Sequence, residues 1–391
     1  MHQAANTSRG DILIVDDNPA NLRLLSQMLS ERGYSIRAVR SGERALASIN
    51  ATLPELILLD IRMGEVNGYQ VCKELKANPK TADTPVIFIS ALQELSDKVK
   101  GFNVGGVDYI TKPFQFEEVL ARVETHLTLR RIQKELLDTN RRLALELSLA
   151  GDLQASFLPN NIPDLKQFDL ALELRPARET SGDFYDFFPL PGNRYGLVVA
   201  DVVDKGAAAA LLMALCRTLI RSHAQEYPDN PELVLSHTNA RMLSDTDASR
   251  FVTVFFCVLS LEEGIIHYCN AGHNPPILFH KDNMDYPVQL EKTGVPLGIL
   301  QDQQWECASI TMQEHDVMLI YTDGITEACN AEGVMFGVER LSKILSENLD
   351  RNVSETKDAI FSEVDQHIET SQAKDDMALV VVRRNPNQYT P

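Results

Sequence analysis

Ile12-Leu-Ile-Val-Asp-Asp17 runs four apolar residues without interruption into two acids. A strand with one solvated face alternates apolar and polar residues, so an unbroken run predicts burial on both faces, as in a parallel sheet. Leu56-Ile-Leu-Leu-Asp60 repeats the device with one acid, and Val86-Ile-Phe-Ile89 runs into Ser90. Helix-like stretches at residues 21–32, 42–50 and 68–77 lie between these runs. A short strand at 108–111 precedes Lys112 and Pro113, and residues 116 to about 127 read as a closing helix. Alternation of strands and helices predicts an α/β fold, a doubly wound parallel sheet.

The carboxyl ends of strands in such a sheet converge on one crevice, where ligands bind. Asp16, Asp17, Asp60, Ser90 and Lys112 all fall at strand ends. Three carboxylates in one crevice repel one another unless a hard cation lies among them, and Mg2+ suits an oxygen site that also takes phosphate oxygens. Lys112 and Ser90 are placed to meet a phosphoryl group, with one carboxylate as its acceptor.

Residues 11–17, Leu58-Leu-Asp-Ile-Arg62, Asn67-Gly-Tyr69 and Tyr109-Ile-Thr-Lys-Pro-Phe114 resemble the receiver domain of bacterial response regulators. The resemblance covers residues 10 to about 127 and implies a five-stranded sheet. It implies Asp60 as phosphoacceptor, a Mg2+ site from Asp16, Asp17, Asp60 and the Arg62 carbonyl, Ser90 and Tyr109 as a switch pair, and Lys112 as phosphate partner. A sensor histidine kinase is the implied phosphodonor. Gly64 stands where the family usually has proline.

From residue 128 to 157 the chain has no proline and one glycine, Gly151. Leu129, Leu136, Leu143, Ala150 and Phe157 recur at sevens, with Ile132 and Leu153 between them, which predicts a helical coiled-coil linker and a homodimer. Thr139 and Glu146 interrupt the pattern, and Pro159 and Pro163 end it. The alternative is a single helix laid on a domain face.

Beyond it, β-type runs at 168–174, 195–201, 251–259, 265–270, 317–321 and 378–383 are interrupted by helix-like segments at 207–223, 231–243, 338–349 and 353–369. Grouped strands and grouped helices predict an α+β sandwich. The expected domains are 1–127, 128–157 and 158–391.

Formal net charge is −18 over 391 residues. It divides unevenly: −2 over residues 1–128, +1 over 129–157 and −17 over 158–391. That balance argues against nucleic-acid or anionic-membrane binding, which need a basic footprint. It also argues against the DNA-binding output common among receivers. No apolar run is long enough to span a bilayer. The six cysteines show no C-x-x-C spacing, so the expectation is buried free thiols in a reducing cytoplasm and no structural zinc.

Four acids in the second half stand at strand mouths beside small residues: Asp183, Asp201, Asp323 and Asp375. Such acids suit two divalent ions that polarise a phosphate and activate water. Their segments resemble the SpoIIE-type branch of the metal-dependent PP2C serine/threonine phosphatases, together with Gln154-Ala-Ser-Phe-Leu-Pro159, residues 209–214, Arg250-Phe-Val-Thr-Val254, Ala271-Gly-His-Asn-Pro-Pro276, Pro296-Leu-Gly298 and Asp323-Gly-Ile-Thr-Glu-Ala328. The resemblance implies a PP2C-like β-sandwich flanked by helices and two Mn2+ or Mg2+ ions bridged by Asp201. Asp323 and Asp375 would complete one site; Asp183 and the Val202 carbonyl would complete the other. It also implies in-line attack of water on a phosphoserine or phosphothreonine protein, and points to an anti-sigma-factor antagonist in a partner-switching pathway.

Ser181 replaces a usual glycine, Val203-Asp204 a common Ser-Gly, Ala208 a frequent proline and Ala378 a usual threonine. His273 and Lys205 are candidates for the general acid, with a structural turn as the alternative for His273. Trp305 reads as core, and His223 and His237 as surface or helix-packing residues. The competing functional reading is a non-catalytic adaptor that binds a regulatory partner through a phosphatase-like domain.

Overall fold

Each apolar run ending in an acid becomes a strand of the first unit. The computed structural model describes residues 8–64, 66–91, 95–159, 162–246, 250–281, 283–369 and 374–386. The chain separates into two units, Met1–Arg142 and Leu143–Pro391.

In the first unit β1 (Asp11–Val15), α1 (Pro19–Ser30), β2 (Ser35–Val39), α2 (Gly42–Ala51), β3 (Leu56–Asp60), α3 (Gly68–Ala77), β4 (Val86–Ser90), α4 (Leu95–Asn103), β5 (Asp108–Thr111) and the start of α5 (Phe116–Ala155) follow in order. The strands form one parallel sheet, β2-β1-β3-β4-β5. Chain order reverses beside β1, so the ends of β1 and β3 open a switch-point crevice. Every residue of β3 and β4 is buried, which is why their runs do not alternate. Leu13 and Val15 join one apolar layer, Ile12 and Ile14 the other. The edge strand β2 is half exposed and lacks an apolar run, so it gave no comparable signal.

The closing helix does not stop near residue 127. α5 is one helix of 40 residues that crosses the boundary between the units. No proline or glycine interrupts residues 116–150, so nothing local ends it. Leu129, Ile132, Leu136, Leu143 and Leu153 are exposed along it, whereas Phe157 lies past its last residue.

The second unit continues with β6 (Phe168–Arg175), β7 (Phe184–Leu190), β8 (Arg194–Val202), α6 (Ala207–Glu226), α7 (Pro231–Asp245), β9 (Val252–Ser260), β10 (Ile265–Ala271), β11 (Ile277–His280), β12 (Asn283–Gln289), β13 (Ala308–Thr311), β14 (Val317–Tyr321), α8 (Asp323–Thr326), α9 (Val338–Glu347), α10 (Val353–Ile368) and β15 (Met377–Arg384). Two antiparallel sheets, β13-β10-β9-β8-β7 and β12-β11-β14-β15-β6, pack face to face. α6 and α7 cover the outer face of the first, α9 and α10 that of the second.

Strand parity sorts the side chains. On β8, Val198, Ala200 and Val202 face α6, while Leu197 and Val199 face the second sheet. Trp305 is core, as its sequence context suggests. The cysteines correct one expectation. Cys72, Cys216, Cys257 and Cys269 are buried, but Cys307 is exposed and Cys329 half-buried. No helix among the described residues is long and apolar enough to cross a membrane.

Candidate functional site

In the first unit, Asp16, Asp17 and Asp60 offer carboxylate oxygens within 4.8 Å of one another. This hard, all-oxygen donor set fits Mg2+. Asn18 N–H (2.9 Å) and Asn21 Nδ2 (2.9 and 3.1 Å) donate to the fully buried Asp16. Lys112 Nζ donates to Asp16 Oδ2 and Asp60 Oδ2, each at 3.0 Å. Burial raises the Asp60 pKa, and Lys112 works against that shift. Ser90 ends β4, and its carbonyl accepts from Lys112 N–H at 2.9 Å. Tyr109 is buried, its ring 5.5 Å from that of Phe88 and 5.4 Å from that of Phe102. Arg62 is exposed two residues past Asp60.

In the second unit, strand parity brings acids to one end of the space between the sheets. The β7/β8 register pairs Phe184 with Ala200, which sets Asp183 opposite Asp201. On the other side Asp201 pairs with Thr253. Asp323 opens α8 directly after β14, and Asp375 and Asp376 precede β15. Gly324 is required here, because a Cβ on it would overlap the Asp376 carbonyl.

Asp183 is buried, and its Oδ2 has no hydrogen-bond partner. Burial and the neighbouring Asp201 push its pKa well up. Asp201 is raised chiefly by burial, and Asp323 is raised to about 6 by burial and then by Asp201. An orphaned buried carboxylate oxygen among further acids costs free energy that a cation offsets, so the donor set fits divalent ions. No three of these acids converge within 4.8 Å as the first unit's triad does.

The neighbouring acids Asp375 and Asp376 divide the work. Asp375 Oδ1 lies 2.8 Å from Lys205 Nζ and is half exposed. Asp376 is buried and accepts from Ala177 N–H (2.8 Å) and Gly182 N–H (2.7 Å). It thereby holds the loop that carries Asp183, a role sequence reasoning missed. Gln154, near the end of α5, holds the same loop: its Nε2 donates to Ser181 O (2.5 Å) and its Oε1 accepts from Ser181 N–H (2.9 Å).

His273 is not suited to act as general acid. It is buried, and burial lowers its pKa to about 3, so its ring is neutral near pH 7. Its Nδ1 lies 2.9 Å from Thr253 Oγ1, which places it behind the residue opposite Asp201. Lys205 is half exposed beside Asp375 and also donates to Lys374 O (2.7 Å). Of the other histidines, His223 packs against His237, ring centroids 5.6 Å apart.

The architecture defines a class: a receiver-type α/β unit followed by a PP2C-fold sandwich, each with its own acidic crevice. A response regulator receiver domain model matches residues 12–124, and a Stage II sporulation protein E (SpoIIE) model matches residues 191–385. The chain belongs to the response regulators that carry a SpoIIE-type PP2C phosphatase domain. Protein IcfG of Synechocystis sp. is 30% identical over 65% of this chain, which covers only 43% of that protein. Phosphoserine phosphatase RsbU of Bacillus subtilis is 29% identical over 67% of this chain and 74% of that protein. The solved SiaA-PP2C domain of Pseudomonas aeruginosa shares the fold, with TM-score 0.57 and 17% identity over 63% of this chain and 98% of that one.

Proposed function

We propose that this chain is a phosphorylation-controlled, metal-dependent protein serine/threonine phosphatase. The observation that carries the reading is the buried, unpartnered Asp183 oxygen set against Asp201 at the mouth of the sandwich. Asp183, Asp201, Asp323, Asp375 and the Val202 carbonyl would hold two Mn2+ or Mg2+ ions. When bound, the ions supply Lewis-acid polarisation of the phosphoryl group and an activated water.

The chain's own residues supply the rest. Asp376 and Gln154 fix the Asp183 loop, and Thr253, backed by His273, borders Asp201. Lys205 sits beside Asp375 as a cation able to meet a substrate phosphate. In the receiver, Asp60 is the acceptor of a phosphoryl group from a histidine kinase, and Asp16, Asp17, Asp60 and the Arg62 carbonyl would hold a Mg2+ ion that neutralises the charge of that group. Lys112 leaves its carboxylate partners for the new phosphate oxygens, and Ser90 and Tyr109 respond as the switch pair.

The substrate class, a phosphoserine or phosphothreonine protein, is supported by the similarity to RsbU, whose name states phosphoserine phosphatase. An anti-sigma-factor antagonist within a partner-switching pathway is the specific substrate proposed. The exposed Leu129, Ile132, Leu136 and Leu143 supply a homodimer seam along α5.

The test is Mn2+-dependent phosphate release from a phosphoserine protein by the full chain. Asp323→Asn is expected to abolish it. No release by either protein overturns the enzyme reading and favours the adaptor, and equal release by both overturns the assignment of Asp323 to the site.

A further inference from the structure

Four of the six cysteines pack in apolar cores. Cys72, Cys216 and Cys257 are buried in apolar cores, and burial raises their thiol pKas, to about 11 for Cys72 and about 12 for Cys216. Cys269 lies in an apolar core too, its Sγ donating to Glu306 O at 3.3 Å, and what sets it apart is the cysteine opposite it, Cys307. The β10/β13 register pairs Ile266 with Ile310 and Tyr268 with Ala308, so the next opposed position sets Cys269 against Cys307. α7 packs on β10 and brings Glu232, in its first turn, to the same place. Two sulfurs and a carboxylate oxygen then lie within 4.8 Å of one another.

That spacing suits one shared ion. Thiolates stand about 2.3 Å from zinc and carboxylate oxygens about 2.0–2.2 Å, so two thiolates on a tetrahedral ion lie about 3.8 Å apart. The frame around the cluster is rigid. Asn270 N–H donates to Thr293 Oγ1 (3.0 Å), Asn270 Nδ2 to Leu290 O (3.2 Å) and Glu306 N–H to Thr293 O (3.3 Å). These bonds fix the residue after Cys269 and the residue before Cys307. Asn230 Nδ2 donates to Glu232 Oε1 at 3.1 Å, which orients the carboxylate. Cys269 is buried and Cys307 reaches solvent, so the cluster has both an anchored side and an entry path.

We propose that Cys269, Cys307 and Glu232 bind a borderline-soft divalent cation of the zinc class, with solvent in the fourth position, tying the first turn of α7 to β10 and the segment entering β13. Its donor set separates it from the all-oxygen crevices, which suit Mg2+ and Mn2+. Burial chiefly, and then nearby anionic groups, raise both thiol pKas. Thiols bind such an ion as thiolates, so uptake releases protons and affinity rises with pH.

The probe is Co2+ added to the full chain under reducing conditions. Cobalt on thiolates gives a sulfur-to-metal charge-transfer band that cobalt on carboxylates lacks. One equivalent is expected to develop the band, one equivalent of Zn2+ to abolish it, and excess Mn2+ to leave it. Asp323→Asn should retain the band, which separates this site from the proposed phosphatase centre. Cys307→Ser, a change at an exposed position, should lose it. Glu232→Gln should keep both thiols but weaken Co2+ binding at least about tenfold, since even partners outside the coordination shell are worth that much. No band in the reduced protein, a band that survives Cys307→Ser, or unchanged affinity in Glu232→Gln overturns the proposal.

Discussion

Asp204 holds its backbone at φ 91, in a region that side chains rarely adopt and glycine adopts freely. It lies three residues past Asp201, where the resemblance leads one to expect glycine. Its side chain compensates in part: it accepts from Lys205 N–H at 2.9 Å and pairs with Arg250 at 3.5 Å between half-exposed groups, the pair worth about 0–1 kcal/mol. The backbone strain costs about 1–3 kcal/mol. Asp204→Gly is therefore expected to stabilise the protein by about 1 kcal/mol in denaturant unfolding. No gain would mean that the contacts to Lys205 N–H and Arg250 outweigh the strain.

The site acids carry a second residue-scale consequence. The Asp323 pKa is raised to about 6 from an ordinary 3.8. A group whose folded pKa is raised contributes stability below its unfolded pKa and loses it as pH rises through the folded value. Asp183 and Asp201 are shifted the same way. In EDTA, Asp323 should lower the melting temperature as pH rises from about 4 to about 6, and Asp183 and Asp201 should shift it in the same direction. Asp323→Asn should flatten part of that slope. Because cations bind the deprotonated acids, Mn2+ should raise the melting temperature more at about pH 7.5 than at about pH 5. An equal Mn2+ effect at both values would contradict this assignment of charge.

Among the elements, the last two turns of α5 are the most consequential. Gly151 packs so close that a Cβ would overlap the Glu179 carbonyl, and Gln154 pairs with both main-chain groups of Ser181. Two residues on stands Asp183. Removing the amide leaves the Ser181 N–H and C=O buried and unsatisfied, at about 1–3 kcal/mol each. Gln154→Ala is expected to loosen the loop and shift the Mn2+ dependence of thermal stabilisation to higher concentration. A purely structural role would lower the melting temperature without moving the Mn2+ midpoint.

The same scale shows where the sequence was legible. Most strands buried on both faces announced themselves as apolar runs whose terminal acids marked both crevices, but buried β7, interrupted by Asp186 and Pro189, did not. Half-exposed β2 and the short β11 and β13 carried no such signal. Adjacent Asp375 and Asp376 read alike in sequence, and only the folded chain sends one onto the Ala177 and Gly182 amides and the other toward Lys205. Cys269 and Cys307 lie too far apart along the chain for any spacing rule, because antiparallel pairing alone makes them neighbours. His273 stood in a motif that suggested chemistry, yet burial makes it a support for Thr253.

At the scale of the whole molecule, each unit has its own apolar layers and its own acidic crevice, and α5 is the covalent path between them. If Asp60 is the input and the Asp183–Asp201 crevice the output, the two chemistries must separate by mutation. Phosphorylation places a dianionic group where Lys112 now bridges Asp16 and Asp60, so the lysine's partners change and the receiver's packing is biased. Acetyl phosphate should therefore change the rate of phosphate release by the full chain, and Asp60→Ala should abolish that change. Asp323→Asn should abolish release while its receiver still accumulates phosphate, read by mass on the intact protein. A rate that responds to the donor in Asp60→Ala would place the input elsewhere. Loss of receiver phosphorylation in Asp323→Asn would show that the two crevices are not chemically independent.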